Sequence, residues 1–456
     1  MHSPSQSKSS VLGRGRAAAV ATGVAVLIAA TAAAPSSAQS LGSSGSSGSS
    51  ITPPGGPCGQ NSGGSAGSIG RALPWITGSP DGAVPRLTGA TKAIEMVTGP
   101  GSPNDTINRF SVSGTDLGIM WDNGGAGADH RVLMAFGDTV GECGVDDDDW
   151  RSNVLFRSSD TTLADGMRID SSPLDRPNHS KEIIPGFGIP GEYTTIPTAG
   201  IAIGGKQYVR YMSVRSWDTP GEWTVNYSAI AVSGNDGETW TSDVASVRAN
   251  VDGLGIPGIP AVDPGNANFQ QSAFVDGKDG FVYEYGTQSG RSGGARLARV
   301  PSNQILDLTA YRYWDGSAWV AEMTRAVPVI PAPVSELSVQ WNDYLNKYVA
   351  MSTDVTGLVI RQADRLEGPW SGKQTIVSSV LLPGLYGGFM HPWTRGQHLE
   401  YVITTWDRYN VIYMRTDLSG LRMASTDQVD RPDPATTGDA ELLGVDVPAE
   451  GQTIDG

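Results

Sequence analysis

The stretch "DLGIMWDNGGAGADHRVLMAFGD", Asp116 to Asp138, holds two short apolar runs on either side of a loop. "LGIMW" and "RVLMAF" have the composition of strands, and "DNGGAGADH" between them is made of turn residues. Pairing the runs as an antiparallel hairpin puts the midpoint at residue 127, inside that loop. Asp116 and Asp138 then lie nearly opposite each other. Directly opposed residues point to one face with Cβ atoms ~5 Å apart. A slip of one residue would turn one of them away.

The same grammar of strand, turn and strand recurs along the chain. After "DLGIMW", "RVLMAFGD" and "SNVLFRSSD" comes a second unit, "AGIAIGGKQYVRYMSV" and "YSAIAVSGNDGETW". A third holds "QSAFVDGKDGFVYEYG", "ARLARV" and "YRYWDGSAW". "LSVQWNDYLNKYVAMS" and "LVIRQADRLEGPW" make a fourth; "YGGFMHPW", "YVITTW" and "NVIYMRTD" make a fifth. No long helical period appears. Five sheet-sized units predict an all-β fold, a five-bladed β-propeller, with a long-looped β-sandwich as the alternative. "SGNDGETW", Ser233 to Trp240, resembles the Asp-box turn of sialidase-type propellers, with Asn235 where an aspartate usually sits. That motif is structural and says nothing of activity.

The ends of the chain read differently. Residues 1–38 combine Lys8, Arg14 and Arg16 with an Ala-rich apolar run and small residues up to Ala38, the pattern of a secretory signal peptide. A retained anchor is the alternative. Residues 39–71 form a Gly/Ser linker that stiffens into proline-rich sequence, 72–425 the propeller, and 426–456 an acidic tail. Losing the leader's three cations takes the net charge from −15 to −18. Such a surface repels nucleic acid and anionic lipid and suits a neutral ligand. The expectation is an exported or cell-wall-associated monomer, free of the membrane after cleavage. The two cysteines, Cys58 and Cys143, are expected to form one disulfide in an oxidising compartment. Neither has zinc spacing, and no cofactor or metal is expected.

Inner strands of a propeller line a central funnel, so polar residues at its mouth meet. Two carboxylates within ~5–10 Å are the parts of a glycosidase, one protonated acid and one ionised base or nucleophile. The plain alternative is that Asp116 and Asp138 only cap turns. Asp146 to Asp149 are expected to face water, since a charge run is usually a solvated face. Gln271, Glu336 and His391 stand at related places in the third, fourth and fifth units. Glu336 is either a third carboxylate for the site or half of a salt bridge, and His391 either a sugar ligand or a core histidine. Trp217 and Arg291 sit in rim loops, where they suit stacking and hydroxyl binding. No G-x-S-x-G, phosphate loop or H-E-x-x-H occurs.

"AFGDT", "WRSNVLFRSSD", "IPTAGIAIGGKQYVRYMSV", "VYEYGTQSGRSGGARLARV", "SELSVQW" and "GGFMHPW" together resemble a family of exported actinobacterial proteins. That family, once a domain of unknown function, is now regarded as glycoside hydrolase family 183, the endo-D-arabinanases. The resemblance spans roughly residues 72 to 425. It implies a five-bladed propeller that cuts internal α-D-arabinofuranosidic bonds in mycobacterial-type arabinogalactan and lipoarabinomannan, with an essential aspartate pair at Asp116 and Asp138. Asp138 is expected as the general acid and Asp116 as base or nucleophile, with the reverse order open. A non-catalytic propeller that grips cell-wall arabinan, and a glycosidase for another furanoside polymer, remain as alternatives.

Overall fold

The computed structural model describes residues 84–141, 149–219, 221–406, 408–421, 423 and the backbone of 442–446. Each of the five sequence units forms one antiparallel sheet. The first pairs Gly114–Asp122 with Val132–Val140, which in turn pairs with Trp150–Arg151 at one end and Leu155–Ser158 at the other. The second runs consecutively through Thr194–Ile203, Lys206–Thr219, Glu222–Ser233 and Thr241–Ala249. Gln271–Asp276, Phe281–Thr287 and Ala295–Pro301 begin the third, extended by three short strands. Leu337–Asn342, Lys347–Asp354, Gly357–Ala363 and Gln374–Ser378 make the fourth.

The fifth sheet closes the ring. Leu385–Met390, His398–Thr405 and Asn410–Asp417 come from the far part of the chain, and the outermost strand, Thr91–Met96, comes from the near part. The first strands of the five sheets are neighbours in the order one, two, three, four, five and back to one. This is a five-bladed β-propeller, with those strands innermost.

Apolar faces of neighbouring blades pack on each other, as two-layer packing of sheets requires. Leu133, Tyr211 and Ala229 lie between the first and second blades, for example, and Met351, Ile360 and Met414 between the fourth and fifth. Close approach dictates Gly200 on the second inner strand, because a Cβ there would sit 2.1 Å from the ring of Trp121 on the first. The Ser233–Trp240 turn is built as its motif implies. Asn235 Oδ1 accepts from the Thr239 amide at 3.0 Å, and the Trp240 indole donates to the Gly237 carbonyl at 2.9 Å.

Two features depart from the sequence expectations. Asp149 does not face water. Its side chain is only 10% exposed and is gripped by His179 Nε2 (2.5 Å), Ser111 Oγ (2.8 Å) and Arg176 (3.4 Å). Partners from two other segments, Ser111 and the hairpin of Arg176 and His179, outweigh the tendency of a charge run to be solvated. Within the presumed tail, Leu442–Asp446 pairs antiparallel with Val84–Leu87. The Cys58–Cys143 bridge, the signal peptide, the linker and Asp146 to Asp148 lie outside the described residues.

Between the second and third blades sits a fully buried charge cluster. Glu284 accepts a bidentate pair of bonds from Arg248 (2.7 and 2.8 Å), lies 3.3 Å from Arg210 Nε, and accepts from Ser272 (2.6 Å). Burial works against the Glu284 carboxylate, but the two guanidiniums outweigh it and hold its pKa down at about 2. Removing that one anion leaves two cations buried together. Glu284→Gln is therefore expected to cost roughly 3–5 kcal/mol of unfolding free energy, read by denaturant titration. A loss below about 1 kcal/mol would show that the cluster does not hold these blades.

Candidate active site

The hairpin pairs in the register that its midpoint suggested. Thr115 faces Thr139, and Trp121 faces Leu133. Between these pairs the ladder is interrupted, with Leu117 pairing Phe136. Leu117 (φ +69°) and Gly118 (φ +84°) are both left-handed, which is costly for a leucine. The Leu117 amide is turned to the Thr404 hydroxyl of the fifth blade at 3.0 Å. The kink directly follows Asp116. Opposite it, Gly137 has to lack a side chain, because a Cβ there would lie 2.3 Å from Asp116 Oδ1.

Asp116 and Asp138 thus come together at the N-terminal end of the inner strands. Burial, then the nearby negative charge of Asp138, pushes the Asp116 pKa up to about 8. The Tyr386 hydroxyl donates to its Oδ2 at 2.9 Å and opposes the shift, while Oδ1 has no donor among the described residues. Burial also raises Asp138, to about 7, against the Thr194 hydroxyl, which donates at 2.5 Å, and the facing indole of Trp150. Two desolvated carboxylates beside each other, with different donor sets, are the arrangement that separates an acid from a base.

A charged pair flanks them. Glu336, just before the fourth inner strand, accepts from Arg291 Nη2 at 2.7 Å and from its Nε at 3.1 Å. Burial would raise Glu336, but Arg291 more than cancels it and keeps the carboxylate ionised. The guanidinium lies over the rings of Tyr386 (4.9 Å) and Trp223 (5.4 Å). Trp217 packs edge-on against Trp223 at 5.6 Å. Gln271 donates to the carbonyls of Gln288 (2.8 Å) and Gly290 (2.9 Å), so it steadies the loop that carries Arg291.

His391 is placed elsewhere. It follows the end of the fifth inner strand, five residues beyond Tyr386, which at ~3.3 Å per residue is roughly 16 Å along. It is fully buried beside Trp393, and burial lowers its pKa to about 4. A role for it in sugar binding beside the pair is thereby corrected, since an inner strand presents its two ends at opposite mouths of the funnel. Tyr386, Thr194, Trp150 and Tyr409 were not anticipated from sequence. Tyr386 and Thr194 sit near the start of the fifth and second inner strands, the position that drew attention to Gln271 and Glu336. The same positional rule applied to all five units would have found both. Among the described residues no group of three or more His, Cys, Asp or Glu is placed to hold a metal ion.

Residues 101–415 match the family described as a domain of unknown function, DUF4185. The chain belongs to this family. The notoamide biosynthesis cluster protein J of Aspergillus sp. (strain MF297-2) is 28% identical over 329 residues, which are 67% of this chain and 83% of that protein. Among solved structures, a hydrolase described as putative from Bacteroides ovatus aligns with a TM-score of 0.45 at 12% identity, over 68% of this chain and 88% of its own. A family 117 glycoside hydrolase from Zobellia galactanivorans aligns with a TM-score of 0.40 at 12% identity, over 73% and 92%.

The raised pKa of Asp116 carries a consequence for stability. Its folded state holds the proton more tightly than the unfolded chain, so stability falls as pH rises from about 4 to about 8. Asp116→Asn is neutral at every pH and escapes that loss. Its Tm is expected to exceed the wild type's by several degrees at pH 8.5 and by much less at pH 5. A gap independent of pH in differential scanning fluorimetry would mean that Asp116 titrates normally.

Proposed function

We propose that this protein is an exported glycoside hydrolase, an endo-D-arabinanase cutting internal α-D-arabinofuranosidic bonds of mycobacterial-type arabinogalactan and lipoarabinomannan. The observation that carries the reading is the carboxylate pair on one hairpin, desolvated, coupled and set at a propeller mouth. The acidic chain repels anionic polymers, which favours a neutral glycan. The choice of D-arabinan rests on the sequence resemblance.

In this reading Asp116 is the general acid and Asp138 the base or nucleophile, the reverse of the order expected from sequence. Asp116 has one oxygen undonated, and burial with the negative charges of Asp138 and Glu336 pushes its pKa up, so it keeps its proton near neutrality and passes it to the leaving glycosidic oxygen. The Thr194 hydroxyl donates to Asp138 at 2.5 Å, and the neighbouring Trp150 indole also favours its negative form. It attacks the anomeric carbon or takes the proton of an attacking water. As Asp116 loses its proton, Arg291 and the Tyr386 hydroxyl stabilise the new charge.

Wild-type protein incubated with purified arabinogalactan is expected to release a ladder of arabino-oligosaccharides. Asp116→Asn and Asp138→Asn should each lose roughly 10²–10⁴-fold in kcat/KM on polymer. An aryl arabinofuranoside with a good leaving group separates the roles, because it needs no acid. There Asp116→Asn should recover most of its loss and Asp138→Asn should not. Recovery by Asp138→Asn instead would restore the acid to Asp138. Retention on the polymer without any product would make the protein a binding module, and products only from L-arabinan or galactofuranan would change the sugar.

A further inference from the structure

Five aromatic rings stand out from the described surface: Trp150, Tyr193, Trp217, Tyr344 and Trp406. Four of them gather at the mouth that holds the carboxylates. Tyr193 directly precedes Thr194, whose hydroxyl holds Asp138, and Trp217 reaches Arg291 through Trp223. Tyr344 alone is at the other mouth, in the turn beyond the fourth inner strand, where its amide and that of Asp343 face the Arg395 carbonyl.

Two of the four are distinguished by what they touch. Trp150 is 42% exposed, yet its indole lies close enough to Asp138 to favour the ionised carboxylate. Trp406 is 43% exposed and packs at 6.2 Å from the ring of Tyr386 and 5.9 Å from that of Tyr409. Tyr386 donates to Asp116, and the Tyr409 ring also stands beside it. Each carboxylate therefore has its own half-exposed indole, one on the first blade and one on the fifth.

Neither ring hangs loosely. The short strand Trp150–Arg151 is paired with Thr139–Val140, directly after Asp138. The preceding residue is the clamped Asp149, whose carboxylate fills the space over Gly141 so closely that a Cβ there would lie 1.3 Å from it. The Trp406 amide donates to the Gly384 carbonyl at 2.9 Å, anchoring it to the start of the fifth inner strand. Leaving a large indole in water forfeits part of its burial energy. Rings held rigid but uncovered are suited to the flat apolar face of a ligand, with little ordering cost on binding.

We propose that Trp150 and Trp406 are sugar-stacking platforms on the two sides of the scissile bond, so that a bound glycan strand runs across the carboxylate pair. The proposal rests on the glycosidase reading above. A general acid touches the leaving oxygen, which places Trp406, one ring away from Asp116 across Tyr386, on the leaving-group side and Trp150, next to Asp138, on the other. Both sides being furnished is what an internal cut requires, since sugar units must be held beyond the bond in each direction.

The test uses the full secreted chain carrying Asp116→Asn, so that binding is read without cleavage, titrated calorimetrically with purified arabinan. Trp150→Ala and Trp406→Ala are each expected to weaken binding about five- to tenfold, and Tyr344→Ala to leave it as in the parent. Trp150→Phe keeps a ring and should retain most of the affinity. In the otherwise wild-type enzyme that same change removes the indole that favours ionised Asp138, so the ascending limb of kcat/KM should move to higher pH. On oligosaccharides labelled at the reducing end, Trp406→Ala should shift cuts toward that end and Trp150→Ala away from it. Thermal melting confirms that the variants fold. Parent affinity unchanged by both alanine variants, or equal loss in Tyr344→Ala, overturns the platforms and leaves the glycosidase reading standing. If the parent binds no arabinan the platforms are overturned, and if the wild-type enzyme also cuts none the glycosidase reading falls with them.

Discussion

Pairing of Thr91–Met96 with Asn410–Asp417 ties the two ends of the propeller into one blade, and the site depends on it. Only a closed ring brings the fifth blade against the first. Tyr386 then reaches Asp116 across 270 positions of sequence, and Thr404 takes the amide of Leu117 across 287. The left-handed turn at Leu117 and Gly118 is held from outside its own blade. Without that support the backbone has no reason to stay in so costly a conformation.

Closure also explains how the acids are held. Desolvation disfavours charge on both Asp116 and Asp138, and the charge of Asp138 adds to it at Asp116, so the folded protein gives up stability to keep them close. Two other buried carboxylates are satisfied in the opposite sense. Glu284 has two arginines and a serine, and Glu336 has Arg291. Asp116, by contrast, keeps an oxygen without a donor. The contrast with these two carboxylates marks the hairpin pair as a place where electrostatic discomfort is retained.

Legibility from sequence followed the range of the physics. Alternation and turn residues are local, so the five sheets and the hairpin register are legible in the sequence alone. The positions of Asp116, Gln271 and Glu336 followed from being near the start of an inner strand, and that of Asp138 from facing Asp116 across the hairpin. His391 was misplaced because its motif lies at the end of its strand, and no local pattern states which mouth an end faces. Asp149 was misread because its partners, Ser111, Arg176 and His179, come from other segments and leave no trace in the run of aspartates.

What the sequence by itself determined was the number of blades, their order and the facing of two aspartates, since period-two patterning and turn chemistry act within a few residues. What only the tertiary structure decided was the company those aspartates keep. Tyr386, Thr194, Trp150 and the Arg291–Glu336 pair converge on them from separate blades. Acidity and charge balance depend on distances across space that linear spacing does not encode.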